Sequence, residues 1–143
     1  MMRAQIVAAV ASTLTTLAIA CGPPPEPFEV RGASVAEIQE AMELGRASSA
    51  SITRAYLDRI AAFDQAGPAI NAMVSLNPNA IAEAEALDRE RADGAVRGPL
   101  HGVPIVLKDN YDTEDAPTSA GTVALSGFVP PNDAFQVARL RDA

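Results

Sequence analysis

The chain has no tryptophan, one cysteine, one histidine and only 4% aromatic residues among its 143. With Cys21 alone, no intrachain disulfide can form, and no Cys/His set has the spacing of a zinc site. Alanine carries much of the 48% hydrophobic share, so a core has to be assembled from many small side chains. Basic residues are also in short supply. Eleven Lys and Arg against 18 Asp and Glu give a formal net charge of −7. No basic patch is available to neutralise phosphates, which counts against a nucleic-acid partner. The acidic balance identifies no partner by itself, because acidic surfaces are usually just soluble ones. The one long apolar run, residues 6–20, falls short of the roughly 20 apolar residues that a membrane-spanning helix needs. The length suits one domain or a piece of one.

What is present begins with an export pattern. In MMRAQIVAAVASTLTTLAIACG, Arg3 is the only charge before Glu26. A positive start followed by a run of apolar and small residues is the layout of a secretory signal. The ending LAIACG resembles a bacterial lipoprotein signal, in which a cysteine after small residues is lipidated once the signal is removed. Such signals place leucine three residues before the cysteine, whereas here that position is Ala18 and the leucine is Leu17. An uncleaved anchor and an ordinary signal peptide are the other readings. Residues 1–20 are therefore read as a signal peptide and Cys21 as the lipidation site. Residues 21–33, with the run GPPPEPFEVRG, are read as a Pro-rich tether of polyproline character. The protein is expected to be exported and held by its lipid on a membrane outside the cytoplasm, on the periplasmic or cell-surface side.

Residues 34–143 alternate helical and strand-like patterns, an α/β arrangement. Ser34 and Glu37 form a capping-box pattern ahead of Val35, Ile38, Ala41 and Met42, and Gly45 is a natural stop. A second helix runs through SITRAYLDRIAAF, capped at Ser51, with Ile52, Tyr56, Ile60 and Phe63 on one stripe and Gly67-Pro68 at its end. INAMVSL alternates Ile70, Ala72, Val74 and Leu76, as a strand with one buried face does. Asn77-Pro78 starts a third helix with proline at its first position. Its Ile81, Ala84 and Leu87 face a core, and Asp88 to Arg91 form a solvated face. PPNDAFQVARLRDA reads as a last helix, capped at Asn132 or Asp133, with Phe135, Ala138 and Leu140 apolar. It ends without a stop signal, where βαβ logic calls for a further strand.

Between the third and last helices lies GPLHGVPIVLKDN, where glycines and prolines forbid a helix. Residues 103–107 read as a short strand, apolar on both faces, as in a sheet covered by helices. Sites in open α/β sheets gather at the carboxyl ends of strands, and Lys108 stands at such an end. On these grounds alone, a lysine closing a strand is an ordinary snorkelling or solvated residue.

The wording of the segment gives Lys108 a different weight. RGPLHGVPIVLKDNYDT, followed by APTSAGTVAL, closely resembles the amidase signature family, serine hydrolases that cleave carbon–nitrogen amide bonds. SSASITRAYLDRIAAFD is similar to the family's N-terminal helix, and AEALDRERADGAVRGPLHG to its approach to the catalytic lysine. The resemblance implies the N-terminal part of the amidase signature fold, a mixed sheet covered by helices. It also implies a Ser-Ser-Lys mechanism with Lys108 as terminal base, no metal or organic cofactor, and a small-molecule or peptide amide as substrate. A base must be neutral, and burial disfavours the charged form of lysine, so an apolar setting for Lys108 is expected. Asp109 and Asn110 are expected to shape the turn after the strand, and His101 to be structural.

The family's two serines lie in a Gly- and Ser-rich stretch that these 143 residues lack. Ser119 follows the lysine without that flanking sequence and is not taken as the nucleophile. The chain therefore reads as a truncated front portion of an amidase that supplies the base without the nucleophile, and is inactive alone. The alternative is a non-catalytic lipoprotein that keeps this part of the fold as a binding or structural module. A third possibility, the family's subunit that works on glutaminyl-charged transfer RNA, is disfavoured by the export pattern and the acidic charge.

Overall fold

The computed structural model describes residues 27–143. The proposed signal peptide, Cys21 and the first part of the tether lie outside the described residues. Four helices follow one another: α1 (Val35–Glu43), α2 (Ser49–Phe63), α3 (Ala80–Ala92) and α4 (Phe135–Asp142), with a 3-10 turn at Val123–Leu125. Helix α2 packs against α3. The core is small. Val30, Ile38, Met42 and Ile52 are buried together, with Phe28, Ala33, Ala47, Ala55, Tyr56 and Val103 packed around them.

Helix α1 starts and stops where its residues dictate. The Glu37 N–H donates to Ser34 Oγ at 3.3 Å, and the Ser34 N–H donates to Glu37 Oε2 at 2.8 Å. The backbone and then the side chain of Ser34 hold the Glu37 carboxyl below its usual range. Gly45, at φ 65°, lies in the left-handed region just past the last turn and closes the helix as a C-terminal glycine does.

The cap of helix α2 lies three residues ahead of the expected one. Ser48 is the N-cap, and Ser51 is the third helical residue that answers it, the two side chains bonding each other's backbone N–H groups at 3.1 and 2.9 Å. A second cap comes from another helix. The Asp88 carboxylate of α3 accepts the N–H groups of Ser49 at 2.6 Å and Ala50 at 3.0 Å, placing negative charge at the positive end of α2. The expected solvated face at 88–91 is corrected by these contacts. Besides Asp88, Arg91 donates to Gln39 Oε1 and to the His101 carbonyl, and Glu90 pairs with Arg97. Only Arg89 is left fully to solvent.

At its other end α2 stops at Phe63, before Gly67-Pro68. Asp64 is the reason. Its buried carboxylate accepts the N–H groups of Ala72 (2.6 Å) and Met73 (3.3 Å), folding 70–73 back over the helix end. Gly67, Ala69 and Asn71 take left-handed φ values to make that return. The Gln65 amide, followed by the Ala72 N–H, holds the Asp64 carboxyl below its usual range. A carboxyl depressed on folding stabilises above its unfolded value, about 3.9, and that support is lost as pH falls through the folded value.

The two segments expected to be strands, 70–76 and 103–107, form no ladder, and no strand occurs among the described residues. A strand exists by pairing, and no backbone runs alongside either segment to complete it. Ile70, Val74 and Leu76 are exposed, as are Ile105 and Val106, so the buried faces expected of both are absent here. Helix α3 begins at Ala80 with Asn79 as N-cap, two residues later than Pro78 suggested. Asn77 folds back on this start, accepting the Asn79 N–H and donating to Glu83. Helix α4 is capped by Ala134 with no side-chain bond. Asp133 instead accepts the Glu114 N–H at 2.9 Å and Arg141 Nε at 2.6 Å, tying loop and helix together. Val137, not Phe135, is the buried residue of α4.

Candidate active site

Residues 98–102 are gripped from three helices. From α1, Gln39 Nε2 donates to the carbonyls of Pro99 and His101, both at 3.0 Å. From α3, Arg91 donates to the same His101 carbonyl at 3.1 Å and to Gln39 Oε1 at 2.7 Å. From α2, the Ser49 hydroxyl donates to the Gly102 carbonyl at 2.7 Å. Gly102 sits at φ 79°, and a Cβ there would come within 3.1 Å of Ser49 Cβ and 3.3 Å of Met42 Sδ. Glycine is needed for both the angle and the approach.

His101 is 2% exposed. Its Nδ1 accepts the Arg97 N–H at 3.3 Å, and its Nε2 lies 2.9 Å from the Leu87 carbonyl. A carbonyl can only accept, so Nε2 is the donor in this contact. Nε2 thus ties the loop to α3, and Nδ1 ties it to the backbone at Arg97 just ahead of it.

From this anchored loop, 103–107 runs out along an open cavity of about 1150 Å³. Leu57 and Ile60 of α2, Leu87 of α3 and Leu140 of α4 are among its apolar walls, and Lys108 lies on its lining. Lys108 is the single lysine of the chain. It is exposed, so the apolar burial expected for it is not supplied by the described residues. Asp109 and Ser119, ten residues apart, are brought together. The Ser119 hydroxyl donates to Asp109 Oδ2, and the Ser119 N–H to Oδ1 at 3.1 Å. These two bonds are the largest causes holding the Asp109 carboxyl below the usual range. Among the described residues, no three His, Cys, Asp or Glu side chains converge as a metal site would require.

The residues missed in the sequence are Gln39, Ser49, Asp88 and Arg91. Each acts on a partner 10 to 62 residues away, a separation that leaves no local signal. Asp88 and Arg91 fall within a charged helical face whose bland reading concealed them.

The amidase family model matches residues 51–143, and the chain belongs to the amidase family. The native peptide amidase of Stenotrophomonas maltophilia is 51% identical, with a TM-score of 0.77 over 81% of this chain and 24% of its own. A peptide amidase in complex with the competitive inhibitor chymostatin is 50% identical, also at a TM-score of 0.77, over 80% of this chain and 23% of its own. A Glutamyl-tRNA(Gln) amidotransferase subunit of Bdellovibrio bacteriovorus is 43% identical over 76% of this chain and 22% of its own length. The chain thus spans about a fifth of the length of the curated relatives it matches.

Proposed function

We propose that this chain is the front portion of an exported amidase that hydrolyses a carbon–nitrogen amide bond by a Ser-Ser-Lys mechanism, with Lys108 as the terminal base. The observation that carries the reading is the placement of the chain's single lysine. It lies at the end of an apolar segment whose entry is fixed by three helices, on the lining of a cavity large enough for a substrate and further chain. In this reading 103–107 joins a mixed sheet covered by helices, and that sheet supplies the rest of the apolar setting that keeps the lysine neutral.

The chemistry follows the family's scheme. A nucleophilic serine gives its proton through a bridging serine to the Lys108 amine and attacks the amide carbonyl. Backbone N–H groups stabilise the oxyanion. The C–N bond breaks as the proton passes to the leaving amine, and water then cleaves the acyl-serine ester to the acid. Neither serine is among the 143 residues, so this chain alone is expected to release no ammonia from any amide. A peptide amide or a small amide is the proposed substrate class, supported by the 50–51% identity to peptide amidases. A transfer-RNA-linked substrate stands second. Amidotransferase relatives of that kind are 38–44% identical, while a net charge of −7 disfavours a nucleic-acid partner. The test is ammonia release from an amidated peptide and from a simple aliphatic amide, by a polypeptide in which this chain is continued through a Gly- and Ser-rich segment.

Export and anchoring are part of the proposal. Cleavage before Cys21 and a diacylglyceryl thioether on its sulfur are expected. Each buried methylene contributes about 0.8 kcal/mol, and one acyl chain alone binds only marginally, so two or more chains are needed for firm attachment. Mass spectrometry of the mature N-terminus decides the matter. An intact Met1, or a free Cys21 thiol, sinks the lipoprotein reading and leaves the amidase reading untouched.

A further inference from the structure

Lys108 belongs to none of the ion pairs among the described residues, yet its backbone is fastened firmly. The Tyr111 N–H donates to the Lys108 carbonyl at 3.0 Å, and the Ala120 N–H to the Asp109 carbonyl at 3.0 Å. Residues 119–121 wrap around the Asp109 side chain. The Ser119 N–H meets Oδ1, while the Ser119 hydroxyl and the Gly121 N–H (3.3 Å) meet Oδ2. Ala120 at φ 48° and Gly121 at φ 76° are both left-handed, a turn that aims nearby N–H groups at one point and makes a concavity for an anion. Here the anion is a carboxylate of the chain itself. Alanine is strained in that region, and the bond from its N–H to the Asp109 carbonyl holds it there. Buried Thr118 completes the fastening, its hydroxyl donating to the Tyr111 carbonyl at 3.2 Å and its N–H to the Phe128 carbonyl at 2.9 Å.

We propose that Asp109 and Ser119 are positioning residues for Lys108. The turn at 119–121, filled by the Asp109 carboxylate, fixes the backbone from which the lysine side chain springs, and so the part of the cavity its amine can reach. A carboxylate is required because its two oxygens accept three donors. An asparagine offers one oxygen and sets an NH₂ group against an N–H. Ser119 is committed to this clasp through both its N–H and its hydroxyl. The consequence for catalysis is large, since a displacement of about 1 Å can cost on the order of 100-fold in rate. The inference rests on the reading of Lys108 as the base.

The single lysine makes the test direct. In the 143-residue chain grown with ¹³C,¹⁵N-lysine, one Lys108 spin system reports on the clasp without crowding, and a second, uniformly ¹⁵N-labelled sample reports on the other amides. Asp109→Asn is expected to move the Lys108 amide toward its random-coil position and lower its heteronuclear NOE. The Ser119 and Gly121 amides should lose their shifts, while those of α1 to α3 stay in place. Ser119→Ala should give a smaller loss, and Ser119→Thr, which keeps the hydroxyl, should restore the wild-type Lys108 signature. A purely structural effect moves the helices along with Lys108 and is not rescued by the hydroxyl. If Asp109→Asn unfolds the chain, the Ser119→Ala and Ser119→Thr pair decides. The proposal is overturned if Lys108 keeps its position and rigidity in Asp109→Asn, or if Ser119→Thr behaves as Ser119→Ala. Activity retained after Lys108→Ala would remove the base while leaving the clasp, so the two failures are distinct.

Discussion

Replacing Lys108 with alanine should abolish amide hydrolysis and leave the fold almost unchanged. The experiment uses a polypeptide in which this chain is continued through a Gly- and Ser-rich segment, as the proposed function requires. Lys108 is exposed and outside the ion pairs of the described residues. In the 143-residue chain, substitution at such a position should change stability by no more than about 0.5 kcal/mol, so the fold half of the test is read on that chain and the rate on the longer one. The kinetic effect should be far larger, because loss of a general base typically costs about 10²–10⁴-fold. In the proposed mechanism this amine receives the proton that the nucleophilic serine passes on through the bridging serine. Lys108→Arg should fail almost as badly, since guanidinium does not give up its proton near neutral pH. His101→Ala separates position from chemistry. It removes a buried ring that bonds Arg97 and Leu87, so it should destabilise the loop at 98–102 by roughly 1–3 kcal/mol and reduce activity less than either lysine variant. Ammonia release and far-ultraviolet circular dichroism on the three variants check both halves. If Lys108→Ala kept more than about a tenth of the wild-type rate, against that general-base range, the lysine would be the ordinary strand-ending residue that its local sequence describes.

Local chemistry was legible where it acts over a few residues. Ser34, Glu37 and Gly45 mark α1 because a cap and a left-handed stop are decided within one turn. The same reasoning misplaced the start of α2, where Ser48 and Ser51 are both serines three apart and either could lead. It also misplaced the cap of α4, because Asp133 is drawn to Glu114 and Arg141. A side chain with two possible partners is assigned by tertiary contacts, which a local pattern does not contain.

The site divides along the same line. The glycine-rich loop and the lysine are contiguous and were readable from their wording. The grip on that loop was not, since Gln39 reaches 60 and 62 residues forward to Pro99 and His101. The strands at 70–76 and 103–107 were read from alternation and apolar runs, which report what a segment can pair with. Pairing itself needs a second backbone beside it. The exposed Ile70, Val74, Ile105 and Val106 show what an apolar segment looks like without one.

Ile52→Ala should produce the largest loss of stability of any single core substitution in this chain. Ile52 is 1% exposed and is the largest fully buried side chain among the described residues. It sits among Val30, Ile38 and Met42 in a core of four such residues, where neighbours cannot collapse to fill a gap. Truncation of a buried isoleucine costs about 2–5 kcal/mol. A whole domain is stable by only about 5–15 kcal/mol, and a core this small belongs at the lower end of that range. From about 5 kcal/mol the variant should keep only about 0–3 kcal/mol at 25 °C, half unfolded at the lower bound. Val106→Ala provides the control. Val106 is 69% exposed along the open cavity, so its loss should change stability by about 0.5 kcal/mol or less. Urea denaturation followed by circular dichroism compares the three proteins. The wild-type chain should melt broadly and bind a hydrophobic dye along 103–107, since that surface is already open. Val106→Ser should weaken dye binding without shifting the urea midpoint. Equal midpoints for Ile52→Ala and Val106→Ala would mean that the buried cluster around Ile52 does not hold this chain together.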